Sequence, residues 1–79
     1  METISIAQYV TIGELVRLTG VRYSTLKFYT EEGLLPFEQA AENLTRRYLR
    51  EPALERIHLI MKLKENGMTI LEIKAHLQP

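Results

Sequence analysis

Arg46, Arg47 and Tyr48 place two guanidinium groups and a phenol in three consecutive residues. Arginine carries a rigid fork of donors that matches phosphate oxygens. Such a cluster can grip a nucleic-acid backbone or enter an adjacent minor groove, with the phenol packing or bonding beside it. The competing reading is that both arginines merely pair with Glu42 or Glu51. Exposed pairs of that kind contribute well under ~1 kcal/mol, so stability alone gives little reason for the cluster. A second set of donors lies upstream. Lys27 can donate to a guanine edge or a phosphate, and Ser24 and Thr25 can donate to either. Arg22 and Tyr23 open the same segment, and Phe28 adds a ring that serves groove contact or the rim of a core. Thr11, Arg17 and Arg50 are weaker candidates flanking these two groups.

Other chemistry finds little footing. His58 and His76 fall on separate helical patterns, cysteine is absent, and no His-x-x-x-His spacing occurs. No metal or cofactor site is expected from these residues. The carboxylates are scattered without an acid/base pair, and no glycine-rich phosphate loop follows a strand, so an enzyme is not expected.

The donors need a scaffold, and the helix signals supply one. Thr11-x-x-Glu14 is a capping box that starts a first helix, with Ile12, Leu15, Val16 and Leu18 as its buried stripe. Gly20 ends it, and periodicity resumes at about Tyr23, which is a helix-turn-helix spacing. The second helix stops before Gly33. Leu26 and Tyr29 share its inner face, leaving Ser24, Lys27, Phe28 and Glu31 outward. The helical pattern then fails. Leu34-Leu35 and Tyr48-Leu49 flank a polar stretch with Asn43 as a turn candidate, which predicts a two-stranded hairpin, or wing. Pro52 suits the first turn of a third helix, in which Leu54, Ile57, Ile60, Met61 and Leu63 are apolar up to Gly67. Thr69-x-x-Glu72 repeats the capping box and opens a last short helix with Ile70, Ile73 and Leu77 inward.

The fold expected is therefore mainly α: a winged helix-turn-helix of about four short helices with a small two-stranded wing. Its 79 residues make one domain. Residues 1–8 are a loose arm, 11–32 the helix-turn-helix, 34–49 the wing and 52–78 two further helices. A hydrophobic fraction of 46% supports a core without disulfides. No apolar run is long enough for a membrane span and no signal-peptide pattern begins the chain, so a cytoplasmic, nucleoid-associated protein is expected. Ten Lys+Arg balance ten Asp+Glu. Neutrality lowers the expected affinity for a polyanion, yet the charges of residues 15–28 and of residues 45–50 are all basic, so a local basic face is compatible with it.

These pieces together resemble the MerR family of bacterial transcription regulators. The resemblance is carried by Tyr9-Val10-Thr11-Ile12-Gly13-Glu14-Leu15, Thr19-Gly20-Val21, Thr25-Leu26-Lys27-Phe28-Tyr29, Gly33-Leu34-Leu35-Pro36, Arg46-Arg47-Tyr48, and Leu63 with Gly67, Glu72 and Ile73. It implies a second helix in the major groove and an Arg-Arg-Tyr wing on the backbone of double-stranded DNA. It also implies homodimers joined by a coiled coil after this domain and a role in distorting promoters. The sequence to Pro79 holds no such dimerisation helix, so it reads as an excised domain or a stand-alone one. Excisionases and chromosome-organising proteins share this kind of winged helix and are the alternative, with a protein-interaction module using the ring of Phe28 behind them. The chain departs from the family where Arg22 replaces a capping hydroxyl and where Phe28-Tyr29-Thr30 replaces Tyr-Tyr-Glu. Leu44-Thr45 likewise replaces Gly-Tyr before the arginines, residues 37–43 lack an arginine, and the spacing from Tyr48 to Leu54 is longer than usual.

Overall fold

The computed structural model describes residues 8–78. The expected loose arm, apart from exposed Gln8, and the extended piece around Ile4 and Ile6 lie outside the described residues. The elements run β1 (Tyr9–Val10), α1 (Ile12–Thr19), α2 (Tyr23–Glu31), β2 (Tyr48–Leu49), α3 (Arg50–Glu65) and α4 (Ile70–Leu77).

Both capping boxes form. Glu14 N donates to Thr11 Oγ1 at 3.3 Å while Thr11 N donates to Glu14 Oε1 at 2.8 Å. Thr69 and Glu72 repeat the exchange at 3.1 and 2.8 Å before α4. Gly20 ends α1 in the left-handed region at φ 75°, a conformation that costs any residue with a Cβ. Beside it Thr19 Oγ1 donates to Leu15 O at 2.7 Å and accepts from Val21 N at 3.1 Å, which fixes the turn between α1 and α2. Helix α3 begins at Arg50, and Pro52 sits in its first turn, where a missing N–H leaves no hydrogen bond unmade.

The core is one cluster contributed by every element. Leu15, Leu26, Leu34, Leu35, Ile57, Ile60 and Ile73 are fully buried, with Val10, Tyr29, Tyr48 and Ala53 beside them. Two residues of the expected apolar stripes stay outside: Leu18 is 48% exposed and Met61 37%. Ala53 takes an inward position on α3 instead, at 3% exposure. Arg56 reaches from α3 to donate to Leu34 O at 2.9 Å, which anchors the segment after α2.

The wing differs from the expected hairpin. Leu34-Leu35 does not pair with Tyr48-Leu49. The sheet joins β1 to β2 in antiparallel register, Tyr9 opposite Leu49 and Val10 opposite Tyr48. Leu34 N is engaged by Tyr29 O at 2.9 Å and Leu34 O by Arg56, so neither is free for a ladder. Pro36 has no N–H to offer. The hairpin survives as a single bridge, Glu38 opposite Arg47, with paired bonds of 2.7 and 2.8 Å. Its tip turns at Glu42 and Asn43, where Leu44 N donates to Ala41 O at 3.0 Å. Gln39 Nε2 staples the tip by donating to Glu42 O at 3.0 Å and Leu44 O at 2.6 Å.

Candidate nucleic-acid interface

Helix α2 buries Leu26, Tyr29 and Thr30 and turns a polar face outward. On that face Arg22, Tyr23, Ser24, Lys27 and Phe28 are exposed and Thr25 is half-buried. Phe28 is 43% and Tyr23 54% exposed, so neither ring is held in the core. Lys27 Nζ lies 3.6 Å from Glu31 Oε2, one turn on, with both side chains about half exposed. An exposed pair of this kind yields readily to a stronger anion. The start of α2 has no side-chain cap and no acidic residue in its first turn. The positive end of its dipole therefore adds to the charge of Arg22 rather than being cancelled.

The wing divides its residues differently from the sequence reading. Arg47 is exposed and bridged to Glu38 just before β2. Arg46 is half-buried, its guanidinium carbon 4.8 Å from the centroid of the Phe37 ring. Among the described residues neither arginine forms an ion pair with Glu42 or Glu51. The pairs present are Lys27 with Glu31, Arg50 with Glu51 and Lys74 with Glu32. Tyr48 is a correction. It is 1% exposed, and its hydroxyl lies 2.9 Å from Thr30 Oγ1 inside the core. Arg47, just before β2, is exposed while Tyr48, the first residue of β2, points inward, so Tyr48 supports the wing from within the core.

The weaker candidates are spread out. Thr11 is exposed, but its hydroxyl is occupied by the capping box, donating to Glu14 Oε1 at 3.2 Å. Arg17 is exposed on the last turn of α1. Arg50 Nη1 donates to Glu51 Oε2 at 2.8 Å, a pair exposed at the surface like that of Lys27. Sequence reasoning missed Phe37, Gln39, Thr30 and Arg56. Only Thr30 carried a sequence signal, as a departure from the family pattern. The other three act through partners remote in sequence or inside an irregular loop.

Among the described residues no group of three or more His, Cys, Asp or Glu side chains could hold a metal ion. No helix among them is long and apolar enough to cross a membrane. A capped first helix, a glycine turn, an outward polar second helix and a basic wing define a winged helix-turn-helix DNA-binding domain. The chain belongs to the MerR HTH family of regulatory proteins, whose family model matches residues 10–78.

Among curated proteins the chain is similar to the nodulation protein NolA of Bradyrhizobium diazoefficiens, with 39% identity over 67 residues, covering 85% of this chain and 28% of that protein. It is 36% identical over 62 residues to the mercuric resistance operon regulatory protein of Bacillus cereus, covering 78% of this chain and 46% of the other. It is 35% identical over 72 residues to the HTH-type transcriptional regulator CueR of Bacillus subtilis, covering 91% and 49%. The chain thus spans from about a quarter to half the length of these relatives. No solved structure gives a significant match.

Proposed function

We propose that this domain is the DNA-reading part of a transcription regulator. In this reading α2 lies in the major groove and the wing lies on the phosphate backbone. Lys27, Ser24 and Thr25 face base edges, with Arg22, Tyr23 and Phe28 at the groove wall. Arg46 and Arg47 hold phosphates, and Arg17 is a further backbone contact. The observation that carries this reading is the pair of wing arginines that, among the described residues, have no carboxylate partner in a chain whose net charge is zero. Two cations left uncompensated at a hairpin are suited to an external anion.

One short recognition helix reads only a few base pairs. Pairing of two copies on a symmetric site, as in dimeric helix-turn-helix proteins, belongs to the same proposal. So does a place at the chromosome in the cytoplasm, and so does the absence of enzymatic activity, since the family and two of the relatives above are named as regulators. Selection of duplexes from a random pool tests the reading. Lys27→Ala is expected to recover a different base preference at a position the unaltered chain specifies. Recovery of no sequence at all by the unaltered chain, under low salt, rejects specific readout.

A further inference from the structure

A line of contacts runs from the recognition helix to one cation of the wing. Thr30 Oγ1 donates to Leu26 O at 2.8 Å and lies 2.9 Å from the Tyr48 hydroxyl. A threonine hydroxyl has one proton, which the Leu26 carbonyl takes, so Tyr48 is the donor to Thr30. The phenol is thereby fixed within the core, where Thr30 is 3% and Tyr48 1% exposed. Tyr48 packs in turn on Phe37, with ring centroids 6.3 Å apart and planes inclined at 52°, an arrangement in which tilted rings attract. The Arg46 guanidinium lies over that same Phe37 ring, 4.8 Å from its centroid. Phe37 itself is 38% exposed, so its ring is only partly accounted for by the core.

We propose that Phe37 is a positioning residue for DNA binding. Its ring, seated on Tyr48, presents the Arg46 guanidinium at a fixed reach from α2. Stacking occupies the face of the guanidinium and leaves the N–H donors at its edge available to a phosphate. An arginine ordered before contact loses less freedom on binding than a free one. Arg47, with no aromatic partner among the described residues, meets phosphate as a free side chain. This inference rests on the reading of the wing as a backbone grip.

The test measures equilibrium binding of the whole chain to its selected duplex, for Phe37→Leu, Phe37→Tyr, Arg46→Ala and the double variant Phe37→Leu/Arg46→Ala. Phe37→Leu is expected to weaken binding about two- to fivefold, the size that an exposed cation–π contact allows. Phe37→Tyr keeps the ring and is expected to keep the affinity. In the Arg46→Ala background, Phe37→Leu is expected to have no further effect, with the melting temperature close to that of the parent in each pair. Arg46→Ala reduces the slope of log affinity against log salt by about one, whereas Phe37→Leu leaves it unchanged. A loss from Phe37→Leu that persists undiminished without Arg46, or no loss with Arg46 present, overturns the positioning role while leaving the wing reading intact. An Arg46→Ala variant with unchanged affinity and slope instead rejects the wing reading, and this inference with it.

Discussion

The hydroxyls of Thr30 and Tyr48 are the residues whose roles the tertiary structure changes most. The family pattern puts a carboxylate where Thr30 stands. A carboxylate there would be buried against a phenol and would need a cation that the described core does not hold. The threonine instead completes a chain from Tyr48 through Thr30 to Leu26 O, and among the described residues no buried side-chain polar atom lacks a partner. Removing the two ends of the Tyr48–Thr30 bond should therefore have unequal costs. Tyr48→Phe leaves Thr30 still bonded to Leu26 and should cost about 0.5–1.5 kcal/mol. Thr30→Val strands the buried Tyr48 hydroxyl and should cost more, about 1–3 kcal/mol. Urea unfolding with an unchanged m-value reads both; equal costs would mean that Tyr48 finds another acceptor.

Elements here are set mostly by their ends. At Gly20 a Cβ would meet no atom within 4 Å, so Gly20→Ala isolates the backbone cost of φ 75°. The expected loss is about 1 kcal/mol, as left-handed strain outweighs the reduced entropy of the unfolded chain. A neutral or stabilising result in the same urea experiment would show that the turn can shift. The first capping box carries a pH signature. The Thr11 backbone N–H bonded to Glu14 holds this carboxyl below its ordinary value near 4.5. A depressed folded-state pKa means that the box contributes in full above the ordinary value. Its contribution is lost as pH falls through the lowered one. Following the Thr11 amide by NMR during acidification should show this loss, and Glu14→Gln should abolish the pH dependence. A Thr11 amide indifferent to acid in the unaltered chain would remove the box from solution. The wing has no such end signals. Its single bridge and its Gln39 staple replace the glycine turn that a longer hairpin would use.

For the whole molecule the question is how a neutral chain holds a polyanion. Its ten bases and ten acids cancel only in sum. Lys27 and Arg50 are locally paired, whereas among the described residues Arg46 and Arg47 are not. Affinity should fall steeply with salt, and the combined Arg46→Ala and Arg47→Ala variant should lower the slope of log affinity against log salt by about two while weakening all sequences alike. A slope unchanged by both substitutions would place the backbone grip elsewhere. The α4 end is tied to the C-terminal end of α2 by Lys74 Nζ to Glu32 Oε1 at 3.1 Å and by Gln78 Nε2 donating to Gly33 O at 2.9 Å. Residue 78 thus lies close to the C-terminal end of α2.

Helix starts, helix ends and the outward face of α2 were legible because each is encoded within a few residues. Thr11 with Glu14, Gly20, Thr69 with Glu72, and the spacing of Leu26 and Tyr29 act through local backbone bonds and a fixed 3.6-residue period. Order and type of the motifs also carried the family. What the sequence left undecided was every partnership made across the chain: β2 pairing with β1 rather than with Leu34-Leu35, Tyr48 turning into the core toward Thr30, and Arg46 lying over Phe37. Strand pairing and side-chain burial depend on which remote surface is nearest once the helices pack, and no local pattern carries that information. The donors were written in the sequence, but their reach and orientation came only from the packed molecule.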